Sequence, residues 1–422
     1  MSSQEKMTVD ERRKYLRQMK KRYQQANRQK RGQLLAEMEQ VTELHRKSLI
    51  GLLQGNLSRR PRQRERGRVY ETEVDDALRV IAESLDYICP ERLTPNLVWM
   101  AEQLAHHQEL HLSESLRVKL GQISVSTVGR ILTRLRQDQP RLPRKGPEQA
   151  NQVARDIPMK RIPWNEPEPG HLETDLVHHG GPDPSGQYVH TLQLIDVTTG
   201  WSERTAVLGR SYVVMADAFR RIVERLPFPI REIHPDNGSE FLNQHLVRFF
   251  KDTIQGVQLS RSRPYYKNDN RFVEQKNATL VRAYLGHDRL DTVAQTLALN
   301  HLYELMTLYY NLFQPVMRLV QKTVMVNDDQ TTRLKRRYDL AQTPFDRLCA
   351  THAISTQRRA QLDRRRDQTN PRQLRQEIYQ VLDALFALPG AVPGVTEDVY
   401  ETLAAPITLL KGEDSLVTFS FE

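Results

Sequence analysis

The sequence predicts an α/β protein in which a mixed-sheet core follows all-α domains and precedes a mostly helical, basic C-terminal region. From residue 171 onward, strand-like and helix-like segments alternate in the order β-β-β-α-β-α-β-α. Residues 8–137 instead show only the spacing of apolar residues that helices require. Residues 140–169 contain seven prolines and no clear period, so we interpret them as a linker between these two parts.

The chain has 422 residues, which is too long for one ordinary core at about 150 residues per domain. Changes in periodicity and composition divide it into six predicted segments. These are a helix-turn-helix domain (1–57), an Arg-rich linker (58–70), a second helical domain (71–139), a Pro-rich linker (140–169), an α/β core (170–325) and a basic, mostly helical region with an acidic tail (326–422).

Positive charge is concentrated at the start of the chain. The whole protein has 62 Lys and Arg against 52 Asp and Glu, a net charge of +10. Residues 1–68 alone contain 19 basic and 7 acidic residues, an excess of +12, so the remainder is close to neutral. This distribution favours a polyanionic partner for the N-terminal region.

Residues 8–55 have apolar spacing that fits three short helices, as in a helix-turn-helix. The last of these helices opens with Arg46 and Lys47, whose side chains are long enough to reach phosphates or base edges. A solvated basic helical hairpin would give the same pattern.

The linker that follows is extremely basic. Residues 58–68 include Pro61 and Gly67 and cannot bury a core, so they are expected to remain extended until they meet an anion. Arginine suits bidentate phosphate contacts and narrow minor grooves, which favours DNA contact over a merely solubilising role. The predicted contacts are Arg59, Arg60, Arg62, Arg64, Arg66 and Arg68.

The second helical domain ends in a segment, residues 124–136, that begins with hydroxyl residues and continues with arginines one turn apart. A recognition helix in the major groove often has this composition. We therefore predict DNA contacts from Ser126, Thr127, Arg130 and Arg134, although a surface helix with solvated arginines is the alternative.

Other classes of protein are disfavoured by composition. Cys89 and Cys349 are far apart and lack the spacing of a zinc site or a disulfide framework, which favours a reducing cytosol. The sequence contains neither a run of about 18 apolar residues nor the apolar region of a secretory signal. We expect a soluble, cytoplasmic protein without membrane contact.

Three carboxylates occur where the predicted sheet would gather them. Asp175 lies on the first strand, Asp236 follows the fourth strand and Glu274 lies in the first turns of the long helix, 61 and 38 positions apart. Because the first and fourth strands can be neighbours, the two aspartates can be adjacent. Paired divalent ions about 3.5 to 4 Å apart catalyse phosphodiester transfer, and hard oxygen ligands favour magnesium.

Two ordered blocks of residues contain Asp236 and Glu274. They are Asp236-Asn-Gly-Ser-Glu-Phe241 and Ser262-Arg-Pro-Tyr-Tyr-Lys-Asn-Asp-Asn270, the latter followed by Val273-Glu274-Gln-Lys-Asn277. Together they resemble the integrase-core transposases of bacterial insertion elements, in the retroviral integrase superfamily, whose DDE catalytic domain has a ribonuclease H-like fold. The resemblance covers about residues 165–320.

The resemblance implies a DNA transposase whose Asp175, Asp236 and Glu274 are catalytic and hold two Mg²⁺ ions, for which Mn²⁺ is expected to substitute. It also implies that Arg263, Lys267 and Asn270 hold the DNA backbone, and Lys276 is a further candidate. Expected partners are double-stranded DNA, as element ends and target, and copies of the same chain assembled on DNA in the bacterial nucleoid. Two alternatives keep the fold: a catalytically silent DNA-binding regulator, and a nuclease that cuts without joining.

Overall fold

A computed structural model describes residues 7–55, 57, 70–135, 166–182, 185–235, 257–260, 271–326 and 332–404. The chain forms two compact units, residues 1–69 and residues 70–422. Each unit is described separately below.

The first unit consists of three helices, as the periodicity predicted. They are α1 (Val9–Gln25), α2 (Arg28–Thr42) and α3 (Arg46–Gln54). The first helix begins at a capping box in which Thr8 and Glu11 each bond the other's backbone N–H, so two otherwise unpaired donors are satisfied. Leu16, Met38 and Leu49 meet in the core and are almost fully buried.

The second unit begins with a group of short helices that share an apolar core. They are α4 (Thr72–Ser84), α5 (Pro90–Leu93), α6 (Leu97–His106), α7 (Glu114–Gln122) and α8 (Val125–Leu135). A single 3₁₀ turn, Thr94–Asn96, joins α5 to α6.

A five-stranded mixed sheet follows and confirms the predicted α/β class. Its strands are β1 (His171–His178), β2 (Val189–Asp196), β3 (Ser202–Leu208), β4 (Glu232–Pro235) and β5 (Gln258–Leu259). In the order β3-β2-β1-β4-β5, the first three strands form the predicted antiparallel meander, whereas β1, β4 and β5 run parallel. The predicted neighbourhood of the first and fourth strands is therefore confirmed.

Helices cover both faces of the sheet. On one face lies α9 (Tyr212–Arg225), whose Arg225 forms an ion pair of 3.0 Å with Glu203 of β3. On the other face lie α10 and α11 (Val293–Leu312). Tyr303 of α11 contacts Thr191 of β2 there, with the two hydroxyls 2.6 Å apart. Helix α10 has an α-helical start (Arg271–Lys276), a π-helical segment (Asn277–Arg282) and a last α-helical turn (Ala283–Leu285).

The C-terminal region contains two strands that the sequence did not predict. The strands β6 (Leu319–Val326) and β7 (Thr332–Tyr338) pair as a hairpin, and the predicted boundary between residues 325 and 326 falls inside β6. Three helices follow, α12 (Pro344–Ala350), α13 (Thr356–Gln368) and α14 (Pro371–Ala387). None of the helices in the described ranges combines the length and apolarity that crossing a bilayer requires.

Side chains from distant parts of the second unit meet at Asp86, just after α4. Its carboxylate accepts hydrogen bonds from Tyr284 of α10 and from Arg375 and Tyr379 of α14, at 2.9 to 3.1 Å. The hydroxyl of Tyr309 also donates to the carbonyl of Ser84, at 2.8 Å. The helices of residues 70–135 thus pack against the helices that cover the sheet and do not form an isolated core.

Candidate active site

Asp175 lies on the sheet face that α10 and α11 cover. It stands opposite Gln193 of β2, and its side chain is only partly buried. On the other side of β1, Thr174 is paired with Pro235, the last residue of β4. Thr174 is followed by Asp175 and Pro235 is followed by Asp236, and these two aspartates are predicted ligands. Asp236 lies outside the described residues.

The start of α10 is attached to β1 by Glu173. This carboxylate is 1% exposed, and its Oε2 atom accepts hydrogen bonds from the backbone N–H groups of Phe272, at 2.7 Å, and Val273, at 3.0 Å. The first N–H groups of a helix have no partner within the helix, and a carboxylate there also interacts favourably with the helix dipole. Glu173 therefore fixes the first turn of α10 two residues away from Asp175.

A second contact joins α10 to Asp175 directly. The Nδ2 atom of Asn277 donates to Oδ2 of Asp175 at 2.6 Å, while Oδ1 accepts from the backbone N–H of Leu176 at 2.8 Å. Asn277 is nearly buried and is the first residue of the π-helical segment, a local widening that often occurs at functional sites. Both oxygens of Asp175 are consequently oriented by the protein.

Glu274 lies between these two attachments and is exposed to solvent. Residues three apart on an α-helix lie on the same face, so Glu274 shares a face with Asn277, which contacts Asp175. The described residues therefore bring the turn that contains Glu274 against the strand that contains Asp175.

Behind Asp175 a polar row continues across the sheet. Gln193 of β2 accepts a hydrogen bond from Nε of Arg204 on β3 at 3.2 Å. The Arg204 guanidinium is fully buried and lies 5.9 and 5.7 Å from the ring centres of Tyr303 and Tyr310. Burial lowers the pKa of Arg204, and the tyrosine rings compensate in part because their faces attract a cation.

Lys276, a further predicted DNA contact, lies near other cations. Its side chain is partly buried, and burial together with the positive charges of Arg92, Arg204 and Arg318 lowers its pKa to about 7. The sequence pattern gave no indication of these cations, since they come from α5, β3 and the segment before β6.

The predicted contacts on α8 fall into two groups. Ser126, Thr127 and Arg130 form one cluster at its exposed start, where the Arg130 guanidinium donates to the Thr127 hydroxyl at 3.1 Å. Arg134 instead forms an ion pair of 2.5 Å with the mostly buried Asp75 of α4. Arg134 therefore attaches α8 to α4, a structural role that the sequence did not predict.

On the first unit, Arg46 and Lys47 occupy the start of α3, and both are exposed, as a phosphate contact requires. These two residues remain predicted DNA contacts. The other predicted contacts lie outside the described residues: Arg59, Arg60, Arg62, Arg64, Arg66, Arg68, Arg263, Lys267 and Asn270.

Sequence reasoning missed the residues that position the carboxylates. Glu173 lies two residues before Asp175 on the same strand face, and a charged residue in a buried strand could have signalled a specific partner. Asn277 belongs to the block around Glu274 but received no role. Arg318 stacks 5.1 Å from the ring centre of Phe272, beside the first turn of α10.

The donor chemistry fits a divalent metal site. Asp175 and Glu274 offer carboxylate oxygens that are at least partly accessible, and such hard ligands suit Mg²⁺. Within the described ranges no group of three His, Cys, Asp or Glu side chains is close enough to hold a metal ion. Two of the three predicted ligands, Asp175 and Glu274, lie in those ranges.

Part of the chain matches a known protein family, and most of it matches a relative. The family described as "Integrase core domain" matches residues 166–267. An uncharacterized protein, y4rM, from Sinorhizobium fredii (strain NBRC 101917 / NGR234) is 36% identical over 303 residues, which are 72% of this chain and 86% of that protein.

Two solved structures are also similar. The catalytic core domain of BIV integrase is 17% identical with a TM-score of 0.24, over 34% of this chain and 83% of that one. A simian T-cell lymphotropic virus intasome in complex with PP2A regulatory subunit B56 gamma is 15% identical with a TM-score of 0.23, over 42% of this chain and 57% of that one.

Residues 166–267 identify this chain as a protein with an integrase core domain, a domain of DNA-recombination proteins. At 36% identity over 72% of its length, the chain belongs to the same family as y4rM. Proteins with an integrase core domain are in general polynucleotidyl transferases that act on DNA and use divalent metal ions.

Proposed function

We propose that this protein is a DNA transposase that binds the ends of a mobile element, cleaves them and joins them to target DNA in a Mg²⁺-dependent reaction. The observation that supports this most strongly is the double attachment of α10 to β1, through Glu173 and through Asn277. These two attachments would hold the turn that contains Glu274 in a constant position relative to Asp175.

The chain's own residues would orient the reacting groups and would form no covalent intermediate. Asp175, Asp236 and Glu274 would hold the metal ions, and Asn277 would keep the Asp175 carboxylate in one orientation. When bound, the ions would activate the attacking oxygen and neutralise charge on the phosphate and the leaving oxygen. The helical domains before the core would bind element ends, and cleavage of two ends would require at least two copies of the chain.

The experiment that tests the proposal uses the full chain, Mg²⁺ and labelled duplexes from the DNA that flanks its coding region. We expect both cleaved ends and ends joined to a second duplex. Cleavage without joining would support the nuclease alternative, and binding without either product would support the silent regulator. Either of those results would overturn the proposal.

The two arginines on α8 give a separate test of end recognition. Arg130→Ala should weaken binding to element ends by about tenfold, the effect of one lost base or phosphate contact, without changing thermal stability. Arg134→Ala should instead remove the ion pair with Asp75 and lower the free energy of unfolding by about 1 kcal/mol, since the arginine is half exposed.

Mobility shifts and thermal melts measure both effects on the same two variants. The prediction is contradicted if Arg134→Ala weakens DNA binding more than Arg130→Ala does.

A further inference from the structure

The hairpin of β6 and β7 is a strongly basic two-stranded ribbon, and we call residues 319–326 and 332–338 the basic ribbon. In the described part of the chain the two strands pair only with each other. Lys335, Arg336 and Arg337 are exposed, and the large side chains of Val320 and Tyr338 are 49% and 48% exposed. This ribbon therefore has a surface that the rest of the described chain does not cover.

The exposed cations of the ribbon are regularly spaced along β7. Alternate residues of a strand lie on one face about 6.7 Å apart, so Lys335 and Arg337 share a face, while Arg336 lies on the other. The register places Thr323 and Gln321 opposite Lys335 and Arg337, and neither strand contains an acidic residue.

The base of the ribbon is fixed beside the candidate active site. The backbone N–H of Arg318, just before β6, donates to Asp339, just after β7, at 2.6 Å, and Arg347 binds the same carboxylate at 2.7 and 3.0 Å. The Arg318 guanidinium stacks over Phe272, two residues before Glu274. The strands therefore start from a point next to the turn that positions Glu274.

We propose that the face with Lys335 and Arg337 binds the phosphate backbone of target DNA beside the active site, without reading its sequence. This proposal rests on the proposed function. Evenly spaced cations match a regular polyanion but cannot distinguish one base pair from another. Target DNA is the partner whose sequence is arbitrary, whereas element ends must be recognised by sequence.

The test compares the full chain with Lys335→Gln/Arg337→Gln, a double variant at two exposed positions that should fold normally. Arg364→Gln/Arg365→Gln removes the same charge from exposed positions on α13 and is the matched control. Affinity for a random-sequence duplex and for an element-end duplex is measured at several salt concentrations, and joining to target is measured separately.

For the ribbon variant we expect about tenfold weaker binding to the random duplex. The slope of log affinity against log salt should fall by about two, one unit for each lost phosphate contact. Binding to element ends should change little, and joining should fall in proportion to target binding. The control should keep wild-type affinity for the random duplex.

Unchanged binding of the random duplex by the ribbon variant, or an equal loss in the control, would overturn the proposal. Failure of the wild-type protein to join DNA would contradict the proposed transposase function instead. The salt-dependent affinity for the random duplex would still decide whether the ribbon binds DNA.

Discussion

Replacing Glu274 by Gln is expected to lower the rate of strand transfer by about 10³-fold or more. The side chain is exposed and nearly identical in size to glutamine, so neither packing nor burial changes. What changes is the charge, and a neutral amide is a poor ligand for a hard divalent cation. When catalysis depends on charge neutralisation, removal of one such group lowers the rate by orders of magnitude. The rate of formation of joined product measures the effect.

A matched control separates this loss from a general effect of charge. Glu304→Gln changes another exposed helical glutamate, on α11, and should keep full activity. Both variants should bind element ends and melt as the wild type does. Undiminished joining by Glu274→Gln would show that this carboxylate is not a metal ligand.

The architecture around Glu274 could be predicted because local patterns determine it. Alternating strand segments separated by glycine-rich turns predicted the meander, and the start of α10 at residue 271 agrees with the predicted long helix. The adjacency of β1 and β4 followed from the order of strands in a mixed sheet. Each of these predictions depends on residues close together in sequence or on general rules of topology.

The contacts that orient the site could not be predicted in this way. Glu173 bonds the backbone of residues about 100 positions away, and Asn277 bonds Asp175 across 102 positions. Such pairs form only after β1 and α10 have packed, so neither periodicity nor charge indicates them. The contacts of Asp86 with Arg375 and Tyr379 were missed for the same reason, because they join segments that are distant in sequence and were interpreted separately.

The basic ribbon was missed for a different reason. A strand with one buried face alternates between apolar and polar residues. In β7 the three consecutive basic residues Lys335, Arg336 and Arg337 interrupt that alternation, so the segment resembles a charged linker.

Replacing Glu173 by Gln is expected to slow strand transfer by about 10² even though Glu173 is not a metal ligand in the proposed site. Glutamine can still accept hydrogen bonds from Phe272 and Val273, but the negative charge at the helix start is lost. We expect the free energy of unfolding to fall by about 1 to 3 kcal/mol, and a small shift of α10 would misplace Glu274.

The dependence of the rate on Mg²⁺ distinguishes a positioning role from simple destabilisation. If Glu173 fixes the geometry of the ligands, Glu173→Gln should need several-fold more Mg²⁺ for half-maximal rate. Asp217→Asn is the matched control, because Asp217 is a buried carboxylate on α9 that accepts a backbone N–H from Ala404 and lies on the other side of the sheet. That variant should lose comparable stability and keep the wild-type Mg²⁺ dependence. Equal Mg²⁺ requirements in the two variants would mean that Glu173 contributes to folding alone.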